Sequence, residues 1–377
     1  MNIHLISTRI LLLFALLILA RRLTAQAQTN SDDPKIVIGT KKQLHSEILQ
    51  EDRPYWVSLP ESYGDKKYPD QTYPVVYLLD GGKNFHSYTG LQKELSDGPY
   101  ASIPEMIVVA IPNTNRTRDL TPTKISGMNH QFDNAKKMFA DSGGNQAFLS
   151  FISKELRPHI QKNYRTNGYT MLIGHSFGGL TVINTLLNHT DLFDAYIAID
   201  PSLWWDNQVM LQQADSLLKE KTFNNQSFYF SLAAPPANRD KKIDMQASNK
   251  GFKKLLEGHD PHGLRWQWKF YEDENHGTVP IPTEYDGLRY IFEGYQTQVR
   301  QIMKNPENLV PKFDSLSTKL GHRFIPSAPY LDWMGDFCLK NGTTENAITF
   351  FELYQKWYPN SDDAIQKLEK ARADTTR

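Results

Sequence analysis

Six strand-like runs, the first two continuously apolar, constrain this chain more than any other feature. They are YPVVYLLDGG (73–82), EMIVVAIPN (105–113), YTMLIGHS (169–176), AYIAID (195–200), SFYFSLA (227–233) and LRWQWKFYE (264–272). Such runs suit parallel strands, whose two faces are both covered. The segments between them carry helical spacing. Phe148, Phe151, Ile152, Leu156 and Ile160 recur at helical intervals within 143–164, and 177–189, 207–220 and 245–257 read the same way. Alternating strand and helix predicts an α/β class with a mostly parallel central sheet flanked by helices. Ahead of it, KIVIG, QLHSEILQ and YWVSLP predict two or three antiparallel strands between Lys35 and Pro60.

Beyond about Asn305 no strand-like run remains. The expectation is a body over 35–304 and a small all-helical extension over 305–377. Gly335, Ala347, Phe351 and Pro359 stand at gaps of 12, 4 and 8, a tetratricopeptide-like pattern in which small residues let two helices approach. One such unit cannot bury its own face, so it should pack on the body or on a protein partner.

At the other end, Arg9 precedes 11 apolar residues (10–20), too few to span a bilayer but suited to a signal-peptide core. Thr24-Ala-Gln-Ala-Gln28 offers cleavage after Ala25 or Ala27. We expect a leader over 1–27 and a periplasmic or secreted product. Arg21 and Arg22 work against export, and an uncleaved leader would tie the protein to a membrane. Cys338 is the only cysteine, which excludes an intramolecular disulfide, a Cys-based metal site and a lipoprotein anchor. Lys+Arg and Asp+Glu both total 42, so no basic footprint points to nucleic acid.

Gly174-His-Ser-Phe-Gly178 joins a predicted strand to a predicted helix and fits G-x-S-x-G. A serine on so sharp a turn is lifted out at the carboxyl edge of the sheet, with Gly174 and Gly178 giving room to the neighbouring strand and helix. The Phe177 amide, at the helix start, points to where an oxyanion would form. Gly82, after the first long strand, is the candidate for the second oxyanion amide. Ser176 needs a base. Of the histidines that follow, His189 lies at the far end of the helix, His259 and His262 in a turn, and His322 in the extension. His276, in EDENHGTVP directly after the last strand, is the choice. An acid must hold the other imidazole nitrogen. Asp244 is preferred, with Asp240 in the same loop and Asp200 in AIDPS as the other candidates. No metal or organic cofactor is required. Trp204 and Trp205 should lie near the mouth, as a flat wall for substrate or as core of a cap. Arg116 and Arg118 either meet an anionic substrate or pair with Asp119. The segments 83–103, 114–142 and 202–224 should shape the pocket.

The set YLLDGG, IGHSFGG, IDPSLWWDN and EDENHGTVP resembles the "putative esterase" family of the α/β-hydrolases, which includes enterochelin esterases, esterase D and mycolyltransferases. The resemblance covers about 40–300. It implies the α/β-hydrolase fold, a serine nucleophile at Ser176, a late histidine at His276 and an oxyanion amide at Gly82. It places an acid shortly before a helix with Ser-Asn near its start, where DMQASNKGF puts Asp244. Many relatives instead carry a Glu after this strand, which LAAPPANRD lacks, and some work with a serine–histidine pair alone, so the acid stays open. The implied reaction is hydrolysis of a small-molecule or glycan-linked ester, with transfer to an alcohol or sugar as the alternative. A third reading is a non-catalytic protein that binds partners through its helical tail.

Overall fold

The apolar runs become strands of one sheet: β1 (Thr40–Ser46), β2 (Glu51–Ser58), β3 (Tyr73–Leu79), β4 (Ile107–Ile111), β5 (Thr166–His175), β6 (Ala195–Ile199), β7 (Ser227–Ala233) and β8 (Arg265–Tyr271). Their spatial order in this computed structural model is β1-β2-β4-β3-β5-β6-β7-β8. The structure describes residues 35–125, 135–235 and 245–375. The expected leader and both Asp240 and Asp244 lie outside the described residues. The chain divides into two compact units, Met1–Val37 and Ile38–Arg377, and the second carries the fold.

β1 pairs with β2, and β2 with β4, antiparallel; every other pairing is parallel. All residues of β3, β4, β6 and β7 are buried, as unbroken apolar runs require. Successive β3 residues feed opposite faces: Val75, Tyr77 and Leu79 join one core, Val76 and Leu78 the other. Each buried aliphatic side chain contributes about 1.5–3 kcal/mol, so both faces must be covered. Residues 35–39 form no strand, unlike the expectation for KIVIG.

Most of the segment 83–103 is not loop. A helix runs from Gly81–Ser96 and turns Phe85, Tyr88, Gln92 and Leu95 inward at intervals of three and four. Between those apolar positions stand buried polar residues such as Thr89, which blurred the pattern.

The extension packs on the body. Its helices are Leu309–Leu320, Ala328–Lys340, Thr344–Trp357 and Asp362–Thr375. A Cβ on Gly335 would lie 2.2 Å from the Phe351 ring, so only glycine admits the facing helix there. One continuous core runs from Val76 and Met171 in the sheet through Phe292 and Phe324 to Leu331 and Phe350. Polar contacts tie the seam: Tyr68 Oη donates to Asp332 (2.9 Å), the Ala328 amide to Gln71 (2.8 Å) and Tyr354 Oη to the Lys67 carbonyl (3.1 Å). Truncation after Asn305 would uncover this face. The shortened chain is expected to be insoluble or to lose its cooperative thermal transition; a soluble, fully active fragment would contradict the shared core.

Glu284, on the helix Pro280–Ile291, is 1% exposed, and neither carboxyl oxygen has a hydrogen-bond partner. Desolvation alone pushes its pKa up to about 8. A folded pKa above the unfolded one means that the native state holds the extra proton, so stability falls as pH rises from about 4.5 to about 8. Glu284→Gln is expected to flatten that slope and to raise Tm at pH 8 by about a few degrees more than at pH 5, read by calorimetry.

Candidate active site

Ser176 stands between β5 and the helix Phe177–Asn188 with φ 61° and ψ −113°. This left-handed backbone costs a side-chain-bearing residue about 1–3 kcal/mol and persists only where the surroundings hold it. Three hydrogen bonds do so here. The Ser176 amide donates to the Ile199 carbonyl (2.9 Å), and the Ser176 carbonyl accepts from Ser202 (3.1 Å) and Leu180 (2.9 Å). Packing leaves no alternative to small neighbours. A Cβ on Gly174 would sit 2.4 Å from Gly178 backbone atoms, and one on Gly179 would sit 3.0 Å from Pro201. The hydroxyl therefore emerges half-buried at the carboxyl edge of the sheet.

His276, in the loop after β8, reaches the same edge. Its Nδ1 lies 2.7 Å from Asp200 Oδ2, and its ring stacks 4.4 Å from that of His175, the residue before Ser176. The carboxylate is nearly buried while the imidazole is 45% exposed, so the ring is held from below and open above. With Nδ1 engaged, Nε2 is the nitrogen free to take a proton from a hydroxyl, and the carboxylate can stabilise the resulting imidazolium. Asp200 itself has φ 40° and accepts from the Ala233 amide (3.3 Å). Of the three acid candidates, Asp200, just after β6, is thus the one that the described residues bring to His276. Burial first, and the neighbouring His276 second, hold the His175 pKa down at about 3. A neutral His175 can lie against His276 without opposing the positive charge that forms there.

Ser202 escaped the sequence reading. It is 2% exposed, and its Oγ lies 3.2 Å from Ser176 Oγ. Its only signal was membership of IDPSLWWDN.

The two amides proposed for an oxyanion belong to adjacent helix starts. β3 and β5 are paired, so the helices that follow them begin side by side. The first helical carbonyls accept from Lys83 on one helix and from Leu180 on the other, which leaves the earlier Gly82 and Phe177 N–H groups without a helical acceptor. Asp80 organises this corner. It is left-handed (φ 53°), receives Arg116 Nε (2.6 Å) and Nη2 (2.9 Å), and accepts from Asn113 (2.6 Å). Its Oδ2 would meet a Cβ on Gly178 at 3.3 Å, so the two turns touch. Gly81 rather than Gly82 is the glycine that packing demands, since its Cβ would lie 2.6 Å from the Ile111 amide. Arg116 pairs with Asp80, whereas Arg118 does pair with Asp119 (2.7 Å) and also with Glu51.

Trp205 does not line a substrate wall. It is fully buried, donates Nε1 to Thr123 and packs edge-on to Phe139 and Phe177, both at 5.2 Å. Trp204 is partly exposed and meets Trp205 at 57°, so the pair forms no flat surface. A cavity of about 160 Å³ opens beside Asp200 and His276, lined also by Leu232, Met245 and Gln246. Among the described residues no cluster of His, Cys, Asp or Glu is arranged to hold a metal ion.

Comparison with known proteins agrees with this architecture. The family described as "Putative esterase" matches residues 46–251. The ferri-bacillibactin esterase of Bacillus subtilis is 31% identical over 221 residues, which are 56% of this chain and 76% of that protein. The siderophore enterobactin esterase of Emericella nidulans is 30% identical over 171 residues, 43% of this chain and 54% of that one. The crystal structure of an IroE-like serine hydrolase from Shewanella oneidensis superposes with a TM-score of 0.77 at 33% identity, covering 85% of this chain and 99% of that structure.

The His276–Asp200 contact separates the three acid candidates. Asp200→Asn is expected to lower turnover of a short p-nitrophenyl ester by about a thousandfold or more with Tm little changed. Asp244→Asn and Asp240→Asn should leave turnover near that of the parent. The reverse ranking would assign the acid to the loop after β7.

Proposed function

The chain belongs to the "Putative esterase" family and is a carboxylic ester hydrolase; from that premise we propose a serine mechanism through an acyl-enzyme on Ser176. The observation that carries it is the His276–Asp200 pair standing against His175, at the same sheet edge as the strained Ser176. His276 Nε2 takes the hydroxyl proton as Ser176 Oγ attacks the ester carbonyl. The carbonyl oxygen gains negative charge and rests on the Phe177 and Gly82 amides at two helix N-termini. Collapse of the tetrahedral adduct expels the alcohol, which leaves with the proton from His276. A water then gives its proton to His276 and attacks the acyl-enzyme, and the second adduct collapses to release the acid as His276 returns that proton to Ser176 Oγ. Ser202 Oγ, in contact with Ser176 Oγ, steers the nucleophile's rotamer.

A siderophore ester is the substrate class we favour, because the relatives from Bacillus subtilis and Emericella nidulans are named for that chemistry. The leader read over 1–27 supports an exported enzyme. Ser176→Ala should keep the fold, judged by Tm, and abolish hydrolysis both of a p-nitrophenyl ester and of enterobactin. Undiminished turnover in that variant would remove the serine mechanism. A kcat/KM for enterobactin no higher than for the p-nitrophenyl ester would remove the siderophore assignment alone.

A further inference from the structure

A second cavity, of about 290 Å³, opens at the seam between the body and the helical extension. It lies at the amino-terminal edge of the sheet, opposite the serine. Ser62 and Tyr68 precede β3, and Glu105 precedes β4. The size is near the lower end for small-molecule sites.

Its chemistry is one-sided. Glu61, Asp65, Asp97 and Glu105 line it, and no lysine or arginine does. Glu61 also pairs with Lys93 (3.0 Å) outside the cavity, where both side chains are largely exposed. Glu105 is more deeply set and accepts from the Ser62 hydroxyl and from the Ser62 amide (3.3 Å). Burial raises its pKa first and the carboxylates of Glu61 and Asp97 add to that, while the Ser62 bonds oppose it. The opposite wall is aromatic. Tyr295 and Phe313 are buried and meet edge to face at 5.6 Å, and Trp333 stands half-exposed at the rim. The buried hydroxyls of Thr297 and Tyr330 also line the space. They are neighbours, and neither has a hydrogen-bond partner outside that pair. Thr297 is 7% exposed. Glu61, Asp65 and Asp97 stand exposed to water, but Glu105 is more deeply set, and buried polar groups short of partners are costly unless a ligand meets them.

We propose that this cavity binds a small organic cation, an ammonium group on an aromatic or alkyl body. The cation faces Glu105 beside the aromatic rings of Tyr295 and Trp333, the latter stacked on Phe337 at 4.7 Å through its other face, and cation–π attraction adds to charge pairing. The apolar body fills the wall beside Phe313. The Thr297 hydroxyl accepts one ammonium hydrogen. The site is separate from the serine and does not depend on the esterase mechanism.

Calorimetric titration of the whole protein with phenethylammonium, 2-phenylethanol and 3-phenylpropionate tests this, since the three share a ring and differ in charge. Saturable binding of the cation, at least about tenfold tighter than of the alcohol and with none of the carboxylate, is the expected result. Glu105→Gln, which keeps an acceptor for the Ser62 amide, should weaken the cation by about tenfold or more and leave the alcohol unchanged. Trp333→Ala should weaken both. Neither change should alter p-nitrophenyl ester turnover, which also reports that the variants fold. Should Glu105→Gln fail to fold, the wild-type ranking of the three probes decides. Equal affinity for cation and alcohol, no binding of the cation up to about 10 mM, or a folded Glu105→Gln that binds the cation like the parent would each overturn the proposal.

Discussion

The backbone of Ser176 is the constraint on which the rest of the site depends. A left-handed residue at the strand end bends the chain so tightly that Gly174 and Gly178 meet at distances no side chain tolerates. The strain is held from the neighbouring strand: the Ile199 carbonyl and the Ser202 amide, flanking the end of β6, both bond Ser176. The same segment carries Asp200 and Ser202, so the element that clamps the turn also delivers the carboxylate to His276 and a hydroxyl to Ser176 Oγ. Positioning and clamping are one structural event, which explains why four residues from Ile199 to Ser202 make so many contacts.

The two carboxylates along this edge are each engaged by a partner, Asp80 in an ion pair and Asp200 in a hydrogen bond. Asp80 is matched by Arg116 and holds the turn that starts the Gly81–Ser96 helix. Asp200 is bonded to His276. Between them lies His175, kept neutral by burial, so neither pair faces an added positive charge. Two helix N-termini then supply the unmatched donors where a substrate oxygen would gain charge.

The helical extension is part of the same folding unit as the sheet. Its apolar residues continue the core on one sheet face, and Gly335 lets two of its helices close over Phe351. The expectation that a lone helix pair must bury its face elsewhere is met by the body itself. Gly335 and Ala347 read as packing residues of this hairpin, whose second helix ends at Trp357, ahead of Pro359.

Short-range patterns carried much of this in the sequence. Apolar runs marked β3, β4, β6 and β7 because a fully covered strand has no polar alternation to lose. The glycine spacing around Ser176 marked the turn because steric exclusion acts between residues four apart. His276 was legible from its place after the last strand. The partners of these residues were not. Asp200 meets the imidazole because β6 lies inside the sheet, between β5 and β7, and its end comes under the loop after β8. Arg116 finds Asp80 across 36 positions because β3 and β4 are neighbours. Trp205 is core and Trp204 is not because of how the chain turns after β6, and no periodicity encodes that. The sequence alone determined the elements and the bend at Ser176, whose causes lie within a few residues. Which charge meets which was decided by strand adjacency, and that exists only once the sheet is assembled.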